Sequence, residues 1–177
     1  MGRWKKRNEG KMKYSDELIS KAYQLGYQFE ATRGNCPQCV LAALMDTIGG
    51  IDEKIFQSAY GLHGGTVSNG VGTCGALAGA IIAIGTRYGR DRAAFDRGEK
   101  ECKNDVLARE LCNKFFEVYG GLTCTKVQTA IMGRSFNMKD PEERKLFLEC
   151  GGHVDKCTSV VGNAAKWTIE ILNQFEE

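Results

Sequence analysis

The chain has 177 residues, of which 42% are hydrophobic and 26% charged, and carries a formal net charge of +2. These values are ordinary for one globular domain with a real core, and they set aside the disordered and integral-membrane classes. The charge is uneven: Arg3, Lys5, Lys6, Arg7, Lys11 and Lys13 against Glu9 give the N-terminal stretch a net of +5 and leave −3 for the remainder.

Residues 1–14 are therefore expected to form a flexible basic arm ahead of one helical domain spanning 15–177. A solvated arm is the expectation for it, with no specific nucleic-acid partner. Trp4 and Met12 stand alone among its charges, so neither a signal peptide nor a membrane span is read there, and a cytoplasmic protein is expected.

In chain order the pattern is helical. Ser15 with Asp16 and Glu17 reads as a cap and an acidic first turn for a helix to about Ala31. Thr32-Arg33-Gly34-Asn35 breaks it, and Pro37 after Cys36 suits the first position of a second helix running to about Ile48. Gly49-Gly50 stop that one, and Asp52 caps a short third helix through Tyr60. Five glycines between Gly61 and Gly72 then make a loop, after which Ala76, Leu77, Ala80, Ile81, Ile84 and Tyr88 recur at helical spacing from about Cys74 to Gly89.

A long amphipathic stripe from Asp91 to Tyr119, with a break signal at Gly98, predicts the longest helix. Gly120-Gly121 end it, and Cys124 opens a short helix to about Met132. Asp140-Pro141-Glu142-Glu143 starts another to about Glu149. Asp155 caps a last helix through Phe175, with Val160, Val161, Ala164, Trp167, Ile171 and Leu172 inward. No segment alternates as a strand does. The fold class expected is all-α, a single compact bundle of about seven or eight helices.

Eight cysteines in a cytoplasmic chain point to metal binding or redox chemistry, because cellular thiol systems keep them reduced. Cys36, Cys74, Cys124 and Cys157 all fall at predicted helix N-termini. Unsatisfied N–H groups and the positive end of the macrodipole favour a thiolate there, the form that binds metal. Should those ends converge, four thiolates meet helix dipoles and loop N–H groups, a setting for a cluster of net negative charge. These four are the candidate ligands. Gly72, Thr73 and Gly75, flanking Cys74, are the candidate cofactor-bordering positions, and Arg33, Lys126 and Lys156 stand near enough in sequence to offset charge. Core packing is expected for Cys102, Cys112 and Cys150. Cys39 is left open as an alternative ligand or a disulfide partner of Cys36.

The elements Asn35-Cys36-Pro37-Gln38-Cys39, Thr73-Cys74-Gly75-Ala76-Leu77-Ala78-Gly79, Cys124 after Tyr119-Gly120-Gly121, and Cys157 before Val160-Val161 together resemble the redox-active protein family named for a C…GCAxxG…C…C pattern. This chain has Cys-Gly-Ala where that name has Gly-Cys-Ala. The resemblance runs from about Lys21 to Leu172, and it extends to the iron–sulfur part of split-Soret cytochrome c. It implies a helical iron–sulfur protein acting in electron transfer, holding a [2Fe-2S] or [4Fe-4S] cluster, with a redox protein as partner and a homodimer left open.

Three other readings compete. Cys36-Pro37-Gln38-Cys39 resembles the CPxC motif of thiol–disulfide oxidoreductases, although no strand precedes it. Four thiolates also suit structural zinc, although zinc sites usually pair their ligands on short turns. Gly70-x-Gly72-x-x-Gly75 matches a dinucleotide fingerprint without its strand and βαβ setting. Haem attachment is unsupported, since Val40 rather than histidine follows Cys39. His63 and His153 read as loop hydrogen-bonders.

Overall fold

The computed structural model describes residues 13–100 and 102–175. Nine α-helices form among them: α1 (Asp16–Arg33), α2 (Cys36–Met45), α3 (Glu53–Ser58), α4 (Gly75–Tyr88), α5 (Arg92–Asp96), α6 (Cys102–Tyr119), α7 (Cys124–Met132), α8 (Pro141–Glu149) and α9 (Cys157–Phe175). The arm read from the sequence lies, up to residue 12, outside the described residues. No helix among those described is long and apolar enough to cross a membrane.

The caps are those the side chains predict. Ser15 Oγ accepts from Leu18 N–H at 3.2 Å, Asp52 from Ile55 N–H at 2.9 Å, and Asp140 from Glu142 N–H at 2.8 Å, each satisfying a donor that the first helical turn leaves open. The bundle is all-α as expected, and the extra helix has a clear cause. Gly98, at φ +71°, turns the chain between α5 and α6, so the stripe read across Asp91 to Tyr119 becomes two helices. Asp155 does not cap the last helix. It lies in a π-helical turn over Gly152–Lys156, and α9 starts two residues later at Cys157.

Helix α9 is the central rod, lying along α1 and also against α2, α4 and α6. Side chains of Leu41, Leu77, Ile84, Leu111, Phe115 and Ile169 are fully buried between them. The α1–α9 crossing is close because each helix brings a glycine to the contact. A Cβ on Gly26 would stand 3.1 Å from Val161 O, and one on Gly162 would stand 2.8 Å from the Tyr23 ring.

Two cysteines expected in the core are outside it. Helix α6 buries Leu107, Leu111, Phe115 and Tyr119, a strict i, i+4 stripe; Cys102 lies off that stripe and is exposed, and Cys112, one residue past Leu111, is half-buried. Cys150, after the last residue of α8, is exposed as well, since α8 buries only Phe147. Gly162→Ala should destabilise the protein by about 1–3 kcal/mol in chemical denaturation, because the new methyl has to displace the Tyr23 ring or part α1 from α9.

Candidate functional site

Each of the four cysteines singled out by the sequence begins a helix. Cys36, Cys124 and Cys157 are the first residues of α2, α7 and α9, and Cys74 is the residue just before α4. Their local settings differ. Asn35 turns into α2 with φ +66° and Pro37 fixes its first turn, whereas Thr123 Oγ1 caps α7 by accepting from Lys126 N–H at 3.4 Å.

Two of the four ends are drawn together by backbone contacts that no local pattern announces. Thr73 and Thr123 form an isolated antiparallel bridge. Through it Cys74 N–H donates to Leu122 O at 2.8 Å and Cys124 N–H to Gly72 O at 3.0 Å, while Thr125 N–H donates to Gly70 O at 3.0 Å. Helices α2 and α4 meet at residues without side chains. A Cβ on Gly79 would stand 2.5 Å from Pro37 O, and one on Gly75 would collide with Cys36 Sγ. Gly72 and Thr73 thus brace Cys124 and Cys74, and Gly75 leaves room for the Cys36 sulfur.

Between these helices lies a cavity of about 770 Å³ lined by Cys36, Cys39, Cys124 and Cys157, with Glu30, His63 and His153 on its wall. Cys74 stands behind that wall, 6% exposed, close enough for its charge to act on Cys36, Cys124 and Cys157. No three His, Cys, Asp or Glu side chains among the described residues are grouped to ligate a single metal ion.

The profile of the family described as "Putative redox-active protein (C_GCAxxG_C_C)" matches residues 34–171. The chain belongs to this family. No curated protein and no solved structure matches it. Within the matched segment stand all four candidate ligands; Cys102, which also begins a helix, α6, stands there too but is exposed.

In this family member burial dominates the acidity of the thiols. Cys74 is pushed up to about 11 by burial, against the N–H groups of Ala76 and Leu77 that point at it from the start of α4. Burial, then the charges of Cys74 and Glu30, pushes Cys124 up to about 12. Cys36 and Cys157 are raised well above the ordinary value of 9.0 by burial first, with Glu30 and Cys74 adding to it. The N–H groups at the start of α4 favour the Cys74 thiolate, the direction expected, and desolvation outweighs them.

Glu30 is the site residue that sequence reading missed. The signal was present, since Ile19, Ala22, Gly26 and Glu30 form the buried stripe of α1 at helical spacing, and a carboxylate on such a stripe is out of place. His63 meets Ser68 Oγ at 3.3 Å and serves its loop as expected, whereas His153 Nδ1 lies 3.2 Å from Glu30 Oε1 on α1 without a hydrogen bond. Of the three basic residues expected near the thiols, Arg33 lines the cavity and stacks 4.6 Å from the Phe29 centroid; Lys126 is exposed and Lys156 pairs with Asp155 at 3.2 Å. Cys39 is buried in the same wall and donates its thiol proton to Gly34 O at 2.8 Å.

The loop over the site is strained. Gly64 through Ser68 all have positive φ, including the β-branched Thr66 at +71° and Val67 at +47°. This left-handed turn brings Gly64 N–H to the Cys36 sulfur and sets Gly65 where a Cβ would stand 2.8 Å from Cys124 Cβ. Val67→Gly should stabilise the protein by about 1 kcal/mol in denaturation, since relief of a left-handed β-branched residue exceeds the added chain entropy. Reduced, metal-free protein should lose stability as pH rises above about 9. Below that both folded and unfolded thiols are protonated; above it the unfolded chain ionises first, while Cys74 and Cys124 hold their protons to about 11 and about 12. The fall is about 1.4 kcal/mol per pH unit for each such thiol, read as a drop in urea midpoint.

Proposed function

We propose that this protein is a cytoplasmic electron-transfer protein that binds an iron–sulfur cluster, [2Fe-2S] or [4Fe-4S], through Cys36, Cys74, Cys124 and Cys157. The observation that carries the reading is the meeting of four thiols at the N-terminal ends of four different helices. The donor set suits such a group. Thiolates are the ligands iron–sulfur clusters take, and the N–H groups of Gly64, Ala76 and Leu77 already point at two of the sulfurs, as stabilisation of negative sulfur requires. The space beside Cys36 exists because Gly75 has no side chain.

The raised pKa values of these thiols point the same way. Four neighbouring buried thiols are poor places for four uncompensated negative charges, so their ionisation needs cationic iron close by. When bound, the cluster supplies reversible one-electron chemistry, exchanged with a redox protein as partner. The chain's own part is to bury the sulfurs, aim N–H donors at them, and hold their spacing through the Thr73–Thr123 bridge. A cluster separates its thiolates by its own irons and sulfides, whereas one zinc ion draws four sulfurs to about 2.3 Å from a common centre.

The second reading, thiol–disulfide exchange by Cys36 and Cys39, is favoured by their shared place on the cavity wall. Their raised pKa values oppose it, since the thiolate is the attacking form and burial suppresses it in both.

Anaerobically purified protein should contain iron and acid-labile sulfide, with an electron paramagnetic resonance signal in one oxidation state. Alanine at Cys36, Cys74, Cys124 or Cys157 should remove most of both elements, and Cys39→Ala should keep them. Full iron and sulfide in all four ligand variants would sink the assignment. Loss in Cys39→Ala with retention in Cys36→Ala would reverse those two roles, and dispensability of both for the cluster, combined with a need for both in reduction of a test disulfide, would bring the exchange reading forward.

A further inference from the structure

Part of the cavity wall carries chemistry that an electron-transfer centre leaves unused. A volume of about 770 Å³ is that of a small-molecule site, and an inorganic cluster of a few atoms occupies only a fraction of it. Glu30 is 3% exposed on the inner face of α1. Its Oε1 lies 3.2 Å from His153 Nδ1 without hydrogen-bond geometry, and its Oε2 is buried with no hydrogen-bond partner. Cys39 faces both Glu30 and Gly34 O, but it has one proton to give, and the 2.8 Å bond to Gly34 takes it.

Asn35 presents a second acceptor in the same state. Its Nδ2 donates to Tyr60 O at 3.2 Å, which fixes the orientation of the amide, and its Oδ1 is buried and unpartnered. Buried acceptors without donors are costly, a charged one most of all, and they persist where the missing donor arrives with a ligand.

Two acceptors ask for N–H or O–H donors, and the carboxylate asks for a positive one. Phe29 and Phe56, on the same wall, offer an apolar surface beside them, while Arg33 and Arg144 oppose a second positive charge. We propose that the cavity binds a small organic monoamine next to the thiols, its ammonium group held by Glu30 Oε2 and Asn35 Oδ1 and its apolar body against Phe29 and Phe56. The proposal rests on the redox-centre reading only in placing the amine beside that centre; the binding itself rests on the wall.

Phenethylamine, one ammonium on a ring-sized body, is the probe. It is titrated calorimetrically into the anaerobically prepared full chain, with iron and sulfide measured on the same sample. Saturable binding is expected, with phenylacetate, the same ring with the opposite charge, failing to bind. Glu30→Gln should weaken phenethylamine at least tenfold, which is about 1.4 kcal/mol, with its fold checked by circular dichroism. Asn35→Gly, which suits the left-handed backbone and removes the second acceptor, should weaken it independently. No saturable binding to the wild-type chain, binding unchanged by both substitutions, or equal binding of phenylacetate overturns the proposal. Amine binding to a sample without iron and sulfide refutes the cluster and keeps the pocket, and a cluster-loaded sample that ignores the amine refutes the pocket alone.

Discussion

Two backbone hydrogen bonds, Cys74 N–H to Leu122 O and Cys124 N–H to Gly72 O, are the constraint on which the thiol site depends. They join the entrances of α4 and α7, which are fifty positions apart in the chain. Each bond contributes only about 1 kcal/mol net, yet together they fix the direction from which two cysteines enter the same space. The glycines on either side are a condition of that clasp. A Cβ on Gly72 would stand 2.7 Å from Thr66 Oγ1 and 2.8 Å from Gly65 O, so a side chain there would push the left-handed turn off the bridge that it covers.

Around this clasp two electrostatic effects oppose each other. Helix ends and loop N–H groups favour negative sulfur, whereas removal from water, the neighbouring sulfurs and the Glu30 carboxylate disfavour it. Burial wins in the metal-free protein because desolvation acts on every thiol at once, while each N–H group serves one sulfur. The same preorganised donors then act at full strength once a cation neutralises the sulfurs, since they sit in a region of low dielectric and need no rearrangement. A site of this kind is inert as a set of thiols and competent as a set of ligands.

What the sequence showed and what it hid follow from the range of the interactions. Helix starts are local, so Ser15, Pro37, Asp52 and Pro141 announced four of them, and with Pro37 the place of Cys36. The entry to α9 was misread because Asp155 looks like a cap, although the chain makes a π-helical turn there first. Cys102 was misplaced for a geometric reason: the stripe Leu107, Leu111, Phe115, Tyr119 advances by four residues each time, and extending it backwards does not reach position 102. The Thr73–Thr123 bridge left no trace in either segment alone, because a pairing between two loops is a property of the fold that brings them together.

Glu30 unites these strands. Its helix, α1, ends at Arg33, one residue before the segment matched to the family begins, yet it is the partner along which α9 lies and it supplies one wall of the cavity. The four thiols come from within the matched segment, and the carboxylate facing them from outside it. A division of labour follows from that placement: α2, α4, α7 and α9 set the spacing of the sulfurs, while α1 sets the charge and shape of the space beside them. Because the α1–α9 contact passes through Gly26 and Gly162, where the helices touch backbone to backbone or backbone to ring, α1 has little freedom to withdraw. Glu30 is therefore held in the wall by the close crossing of the two helices at Gly26, one turn away along α1, with His153 Nδ1 3.2 Å from its Oε1.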